Sequence, residues 1–365
     1  MTQALDVLAC GSVTAIGLDA FQTAAAFRAG IAGFRNAISR TPPQEPLRAA
    51  KVPARRALRR TPEEWLVRLA SRSIREAAVY RPLIGHTGLL LVLPEAVRNH
   101  PALASNGAEG ILDAVGSAVG TPHSVRALAS EGGAGISVAL SSARDLLVRG
   151  AVDSCLVAAV DSLLNGRDVS RLLDTARMLE PETPQGLVPG EGSACILVAL
   201  PGRYPGAFAR ILGIGSATER DVVAGPRYSQ GRGFAAALEA AVTDARMPES
   251  SVSFRISTVN GERYATWESM FYSTRFYRTR RERLPVWYTA SRVGEMGAAS
   301  GALALALAAL SIAGGYAPGP CAMCESASES GLRAACLVGP ALDAPVPPFR
   351  PEEGAYRRVL GLLHA

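Results

Sequence analysis

The sequence predicts an α/β fold made of two similar halves stacked in layers, and three observations lead there. A series of strand, helix and closing strand pair occurs twice along the chain. Each half contains a long helix with almost no charge. The chain, 365 residues with 48% hydrophobic content, is long enough to cover such helices on every side.

The first half opens on an apolar strand, residues 5–14, ending in Gly11-Ser12-Val13-Thr14; the second opens on residues 209–218, ending in Gly215-Ser216-Ala217-Thr218. Alanine-rich helical patterns follow, over residues 21–29 and 233–245. Later in each half a turn of small residues enters an apolar helix. Glu131-Gly132-Gly133-Ala134-Gly135 leads into residues 136–148, and Glu295-Met296-Gly297-Ala298-Ala299 into residues 301–313. Both helices run into glycine, at Gly150 and at Gly314-Gly315, as a helix C-terminus does. Two strand-like runs close each half, residues 154–160 and 193–200 in the first, 321–326 and 334–338 in the second. A helix apolar on most faces must be covered on most faces, so 136–148 and 301–313 belong in a central layer between two sheets. Their N-termini then meet near the middle of the molecule, where backbone N–H groups favour negative charge.

Composition narrows the function classes. Six cysteines (Cys10, Cys155, Cys195, Cys321, Cys324 and Cys336) sit mostly in apolar runs, the pattern of reduced core thiols. Cys321-Ala-Met-Cys324 has no second ligand pair, and His86, His100, His123 and His364 are scattered, so neither metal nor cofactor is expected. The N-terminus lacks a basic segment followed by a long apolar run, and the longest apolar stretch, 301–313, is too short to span a bilayer. A cytoplasmic location without membrane contact is expected. The net charge of +6 is concentrated in Arg55, Arg56, Arg59 and Arg60 and in Arg275, Arg278, Arg280, Arg281 and Arg283. The second cluster interleaves with Phe271, Tyr272, Phe276 and Tyr277, a composition able to grip phosphate or an acidic protein surface; a solvated basic edge is the simpler reading of each, and nucleic acid is not the expected partner.

Gly11-Ser12-Val13-Thr14-Ala15-Ile16-Gly17, followed by Phe27-Arg28-Ala29-Gly30-Ile31-Ala32-Gly33-Phe34, resembles the opening of the β-ketoacyl synthases. Gly186-Leu187-Val188-Pro189-Gly190-Glu191-Gly192-Ser193-Ala194 is similar to that family's Gly-Glu-Gly turn, and Gly294-Glu295-Met296-Gly297-Ala298-Ala299-Ser300-Gly301 to its second histidine segment. The resemblance implies a duplicated thiolase fold, layered αβαβα, with two mixed sheets around the central helices. It divides the chain into a half at 1–204, a half at 205–340 and a tail at 341–365. The turn at 190–192 is read as structural, its two glycines meeting a need for unusual backbone angles.

The family condenses acyl thioesters with a cysteine at the head of the first central helix and two histidines that stabilise the enolate. Matched by position, the cysteine falls on Gly133, the first histidine on Glu262 in Val259-Asn260-Gly261-Glu262, and the second on Glu295; the preceding lysine falls near Ala290. Glycine cannot be acylated, and an ionised carboxylate repels the negative charge that condensation generates. A degenerate member without condensing activity is therefore expected, with no catalytic residue assigned. Ser130 and Cys155 are the fallback nucleophiles. Glu131, Glu262 and Glu295 form a candidate carboxylate cluster, each with a simpler structural reading: Glu131 and Glu295 at positive helix ends, Glu262 paired with Arg263 or Arg292. Asp161 and Asn260 are expected to be satisfied by backbone hydrogen bonds. The stretch holding Arg275, Arg278, Arg280 and Arg281 is the candidate anion-binding surface.

The resemblance further implies a homodimer, or a heterodimer with a related subunit, through an edge strand. The pattern at 294–301 followed by Gly315-Tyr316-Ala317 is also similar to thiolase-like proteins encoded beside type VI secretion effectors, which makes a secreted effector or an acyl carrier the expected partner of a scaffold, adaptor or accessory subunit. The competing class is an acyltransferase or thioester hydrolase with a non-standard site.

Overall fold

In the computed structural model, which describes residues 4–38, 46–53, 61–81, 85–105, 107–120 and 125–341, the predicted duplication is explicit. The first half runs β1 (Leu5–Val13), α1 (Ala20–Arg28), the hairpin β2 (Phe34–Ile38) and β3 (Leu47–Ala50), α2 (Pro62–Tyr80), β4 (Thr87–Val92), α3 (Ala102–Ser105) and α4 (Gly107–Val119). It continues through β5 (Val125–Ala129), α5 (Gly135–Val148), β6 (Ser154–Ser162), α6 (Gly166–Asp174) and β7 (Glu191–Ala199). The second half comprises β8 (Ala209–Thr218), α7 (Arg232–Ala245), β9 (Phe254–Ser257), α8 (Arg263–Phe276), β10 (Val286–Tyr288), α9 (Ala290–Val293), α10 (Ala299–Ala313), β11 (Ala322–Ala327) and β12 (Leu332–Gly339).

Strand order is the same in both halves: β1-β7-β6-β4-β5 answers to β8-β12-β11-β9-β10. Directions match as well, the three outer strands of each half being parallel and the closing pair antiparallel. The two five-stranded halves also meet, because β1 pairs antiparallel with β8 over Leu5–Val7, so hydrogen bonding runs unbroken through ten strands.

Close helix packing explains the glycines in the opening strands. A Cβ on Gly11 would lie 1.9 Å from the carbonyl oxygen of Ser73 in α2, and Cβ atoms on Gly213 and Gly215 would lie 2.2 and 2.1 Å from carbonyl oxygens of α7. Only glycine lets a helix lie directly on these strands. Helix α2 thus covers β1, β6 and β7, while α7 covers β8 and β12.

Helices α5 and α10 each touch strands of both halves and form the central layer. Ala299 to Ser311 of α10 are all buried, as its lack of charge requires. One apolar core surrounds these two helices and draws on both sheets, and two further cores lie under α2 and α4 on one outer face and under α7 and α8 on the other. The order is αβαβα, as predicted. The helix N-termini meet: a Cβ on Gly301 would stand 2.4 Å from the carbonyl oxygen of Gly133. The predicted C-terminal glycines are found too, Gly150 and Gly315 taking φ of +68° and +67°.

All six cysteines are free and buried, and among the described residues no group of histidine, cysteine and carboxylate side chains is placed to hold a metal ion. No helix among them is long and apolar enough to cross a membrane. Arg55, Arg56, Arg59, Arg60, His123, His364 and the tail from residue 342 onward lie outside the described residues.

Candidate functional site

The three positions matched to the catalytic cysteine and histidines line one cavity. Gly133, Glu262 and Glu295 meet there although they lie on a turn before α5, a turn before α8 and the segment before α10. The open space is about 80 Å³. That holds a few water molecules and falls far below the roughly 300–1,000 Å³ of a ligand pocket.

Gly133 sits in a single 3₁₀ turn, Gly132–Ala134, that delivers the chain into α5. A Cβ there would stand 2.8 Å from the carbonyl oxygen of Ala327 and 3.2 Å from that of Gly297, so the backbone has closed over the space a cysteine side chain would use.

Glu295 is positioned by the motif at 186–194. Its backbone N–H donates to the carbonyl of Val188 and its carbonyl accepts from the N–H of Gly190, both at 2.8 Å. A Cβ on Gly190 would lie 2.4 Å from the carbonyl oxygen of Val293, and one on Gly192 2.5 Å from that of Val13. Neither glycine has positive φ, which corrects the reading of this turn: close approach of neighbouring chain, not an unusual backbone angle, is what requires them. Glu191 between them is buried and accepts from the Trp65 indole at 2.7 Å, the Ser162 hydroxyl at 3.0 Å and the Val52 N–H at 3.1 Å, tying α2, β3's exit and β6 to the turn.

The carboxylate of Glu295 accepts from the N–H of Gly297 at 2.8 Å and the hydroxyl of Ser300 at 3.1 Å, at the positive end of α10 as predicted. Its other oxygen accepts from the Asn260 amide at 2.9 Å. The same amide nitrogen donates to Glu262, also at 2.9 Å, while the Asn260 carbonyl oxygen accepts from the backbone N–H of Glu262. Asn260 therefore has the backbone partner expected of it, and beyond that bridges two carboxylates with its amide nitrogen. Burial pushes the Glu295 carboxyl up to about 7, and the charge of Glu262 adds to the push against the hydrogen bonds from Asn260, Gly297 and Ser300.

Glu262 pairs with neither Arg263 nor Arg292. Arg177, from the loop after α6, grips it through two bonds of 2.6 and 3.0 Å and reaches Glu329 at 2.9 Å with its remaining nitrogen. Arg171 also binds Glu329, at 2.8 Å. Burial alone would raise the Glu329 carboxyl, yet Arg177 and Arg171 hold it below its ordinary value. Arg98 completes the wall, donating to Asp161 and Asp168, and Asp161 also accepts from the N–H of Ala298 at 2.9 Å.

The fallback residues are elsewhere. Glu131 does not line the cavity, so it does not join Glu262 and Glu295; one of its carboxylate oxygens is buried without a partner. Ser130 does not line it either, its carbonyl accepting from Ala96. Cys155 is a fully buried residue of β6 whose thiol burial pushes up to about 12, which makes it a poor nucleophile. In the arginine stretch Arg275 and Arg278 bond to nearby carbonyls, Arg281 pairs with Glu249, and Arg280 is exposed. Of its interleaved aromatics, Tyr272 and Phe276 are core residues, and the Tyr272 and Tyr277 hydroxyls both donate to Glu325.

Comparison with solved structures agrees with this fold. The chain superposes on the ishigamide ketosynthase/chain length factor over 93% of its own length and 100% of that chain, with a TM-score of 0.71 at 18% identity. The fold is that of the ketosynthases. A type II polyketide ketosynthase solved in complex with its acyl-carrier protein gives 0.76 at 16% identity, over 93% of this chain and 100% of that one. The ketosynthase from module 6 of the bacillaene synthase of Bacillus subtilis 168 gives 0.72 at 13% identity, over 92% of this chain and 72% of that one. No protein-family model and no curated protein matches the sequence.

Proposed function

We propose that this ketosynthase-fold chain does not condense acyl groups and serves as a scaffold, adaptor or accessory subunit. One observation carries the reading: where the resemblance places a thiol and two imidazoles, the cavity presents a glycine whose Cβ position is blocked and two carboxylates bridged by Asn260. Among the described residues no cysteine or histidine lines the cavity. An acyl group has no thiol to load, and the charge that would develop on an enolate oxygen faces carboxylate.

Pairing with a second copy or with a related subunit fits strand β5, which ends the ten-stranded array and has β4 as its only strand partner among the described residues. Among the structural neighbours are a ketosynthase/chain length factor and a ketosynthase held with an acyl-carrier protein, which supports a related subunit or an acyl carrier as partner here. A type VI secretion effector as the client rests on the sequence pattern at 294–301 and 315–317.

Intact-protein mass spectrometry after incubation with acyl-coenzyme A and acyl-carrier thioesters tests the reading. The mass is expected to stay unchanged, with no condensation product. A covalent acyl adduct together with turnover would overturn it.

A second reading, thioester hydrolysis, rests on Glu295, whose carboxyl titrates near 7 beside the cavity and is therefore suited to general-base activation of water. Thioester hydrolysis by the purified chain, lost in Glu295→Gln, would favour it; equal release with and without protein would remove it.

A further inference from the structure

At the other end of α10, about 16 Å along the helix from its N-terminus, lies a second concave region that the ketosynthase-type cavity does not touch. It has two lobes that share Ala24, Arg28 and Tyr316. The first lobe, about 370 Å³, is walled by Phe27, Trp287, Tyr288 and Leu307 together with Arg28 and Arg292. The second, about 580 Å³, is walled by Phe21, Leu310 and the small residues Ala25, Ala29 and Gly314. Both are of the size that takes a small organic ligand.

Charge separates the lobes. Among the described residues no acidic side chain lines either one. Arg28 is held over the ring of Tyr316, 4.7 Å from its centroid, and Arg292 donates only a long bond, 3.4 Å, to the carbonyl of Ser291. Neither guanidinium has a carboxylate partner among the described residues. Arg28 reaches both lobes but Arg292 only the first, and the second lobe borders the last turn of α10, whose carbonyl end carries negative partial charge and repels an anion. An anionic head therefore belongs beside Arg28 and Arg292, and an uncharged tail belongs over Phe21 and Leu310.

We infer that this two-lobed groove is a binding site for a carboxylate with an apolar chain, its head held by Arg28 and Arg292 and its chain laid past Tyr316 against Phe21 and Leu310. Planar guanidinium groups suit a carboxylate because two parallel N–H bonds can form at once. The aromatic wall supplies contact area at low entropy cost.

Trp287 reports on the site directly, since it lines the first lobe while packing on Phe27 and Phe254 at ring separations of 5.9 and 5.2 Å. The full chain is titrated with dodecanoate, dodecanol and dodecylammonium while tryptophan emission is followed. Dodecanoate is expected to give a saturable change that is absent in Trp287→Phe, with the alcohol and the amine at least tenfold weaker. The double variant Arg28→Gln/Arg292→Gln, checked for an unchanged melting temperature, is expected to weaken dodecanoate at least tenfold. Equal binding of acid and alcohol, an undiminished response in the double variant, or no saturable response to dodecanoate would overturn the assignment. Phe21→Asp tests the tail lobe separately, and unaltered dodecanoate affinity there would sink the two-lobed arrangement.

Discussion

Asn260 donates a hydrogen bond to Glu295 at 2.9 Å, joining the turn before α8 to the segment before α10 across 35 positions of sequence. With its second bond to Glu262 it keeps two carboxylates side by side in a place where their repulsion would otherwise drive them apart.

The Glu295 carboxyl, raised by burial from 4.5 to about 7, makes the fold sensitive to pH. Below about 4.5 it is neutral in both folded and unfolded chains. Between there and about 7 the unfolded chain ionises first, so the folded state holds the extra proton and stability falls as pH rises. Urea unfolding at pH 5 and pH 8 is expected to show a loss in the native chain exceeding that in Glu295→Gln by up to about 3 kcal/mol. Parallel losses in the two proteins would contradict it.

Asn260→Ala removes the side-chain amide that bridges the two carboxylates. A cost of about 1–3 kcal/mol is expected from the buried acceptors it leaves, larger at pH 8, where Glu295 is ionised, than at pH 5. A pH-independent cost would show that the bridge is not what the amide provides.

Arg177→Met leaves Glu262 and Glu329 without the guanidinium that holds both. Stripping one partner from a buried ion pair costs about 3–5 kcal/mol, and the melting temperature should fall accordingly. Pairing it with Glu262→Gln should recover part of the loss, since one orphaned charge is then gone; a purely additive double variant would disprove the coupling.

Gly133→Cys is the substitution that sequence comparison alone would choose to restore a nucleophile. The carbonyl oxygens of Ala327 and Gly297 stand in its way, and overpacking of this kind costs about 1–3 kcal/mol. The variant is expected to be destabilised and to gain no acyl adduct in the mass spectrum.

What could be read from the residues differed from place to place for physical reasons. Helix α10 was legible because thirteen consecutive buried residues leave no charge to misplace it, and Glu262 and Glu295 were found because the spacing of glycine-bounded motifs fixes their register. Arg177 was not found, since it comes from an aperiodic loop and meets Glu262 85 positions away. Glu131 stands at the helix entrance yet stays outside the cavity, because proximity along the chain does not say which way a side chain turns. The start of α2 is legible in the sequence as well: Thr61-Pro62-Glu63-Glu64 is a capping box, and both of its reciprocal bonds form.

The brief pairing of β1 with β8 at Leu5–Val7, and the burial of α10 by strands from both repeats, have a bearing on ancestry and on engineering alike. A chain severed between β7 and β8 would leave each piece with a row of amides seeking a strand and a greasy surface seeking a lid. Duplication here produced interlocked repeats, and the pieces are expected to regain structure only by finding each other.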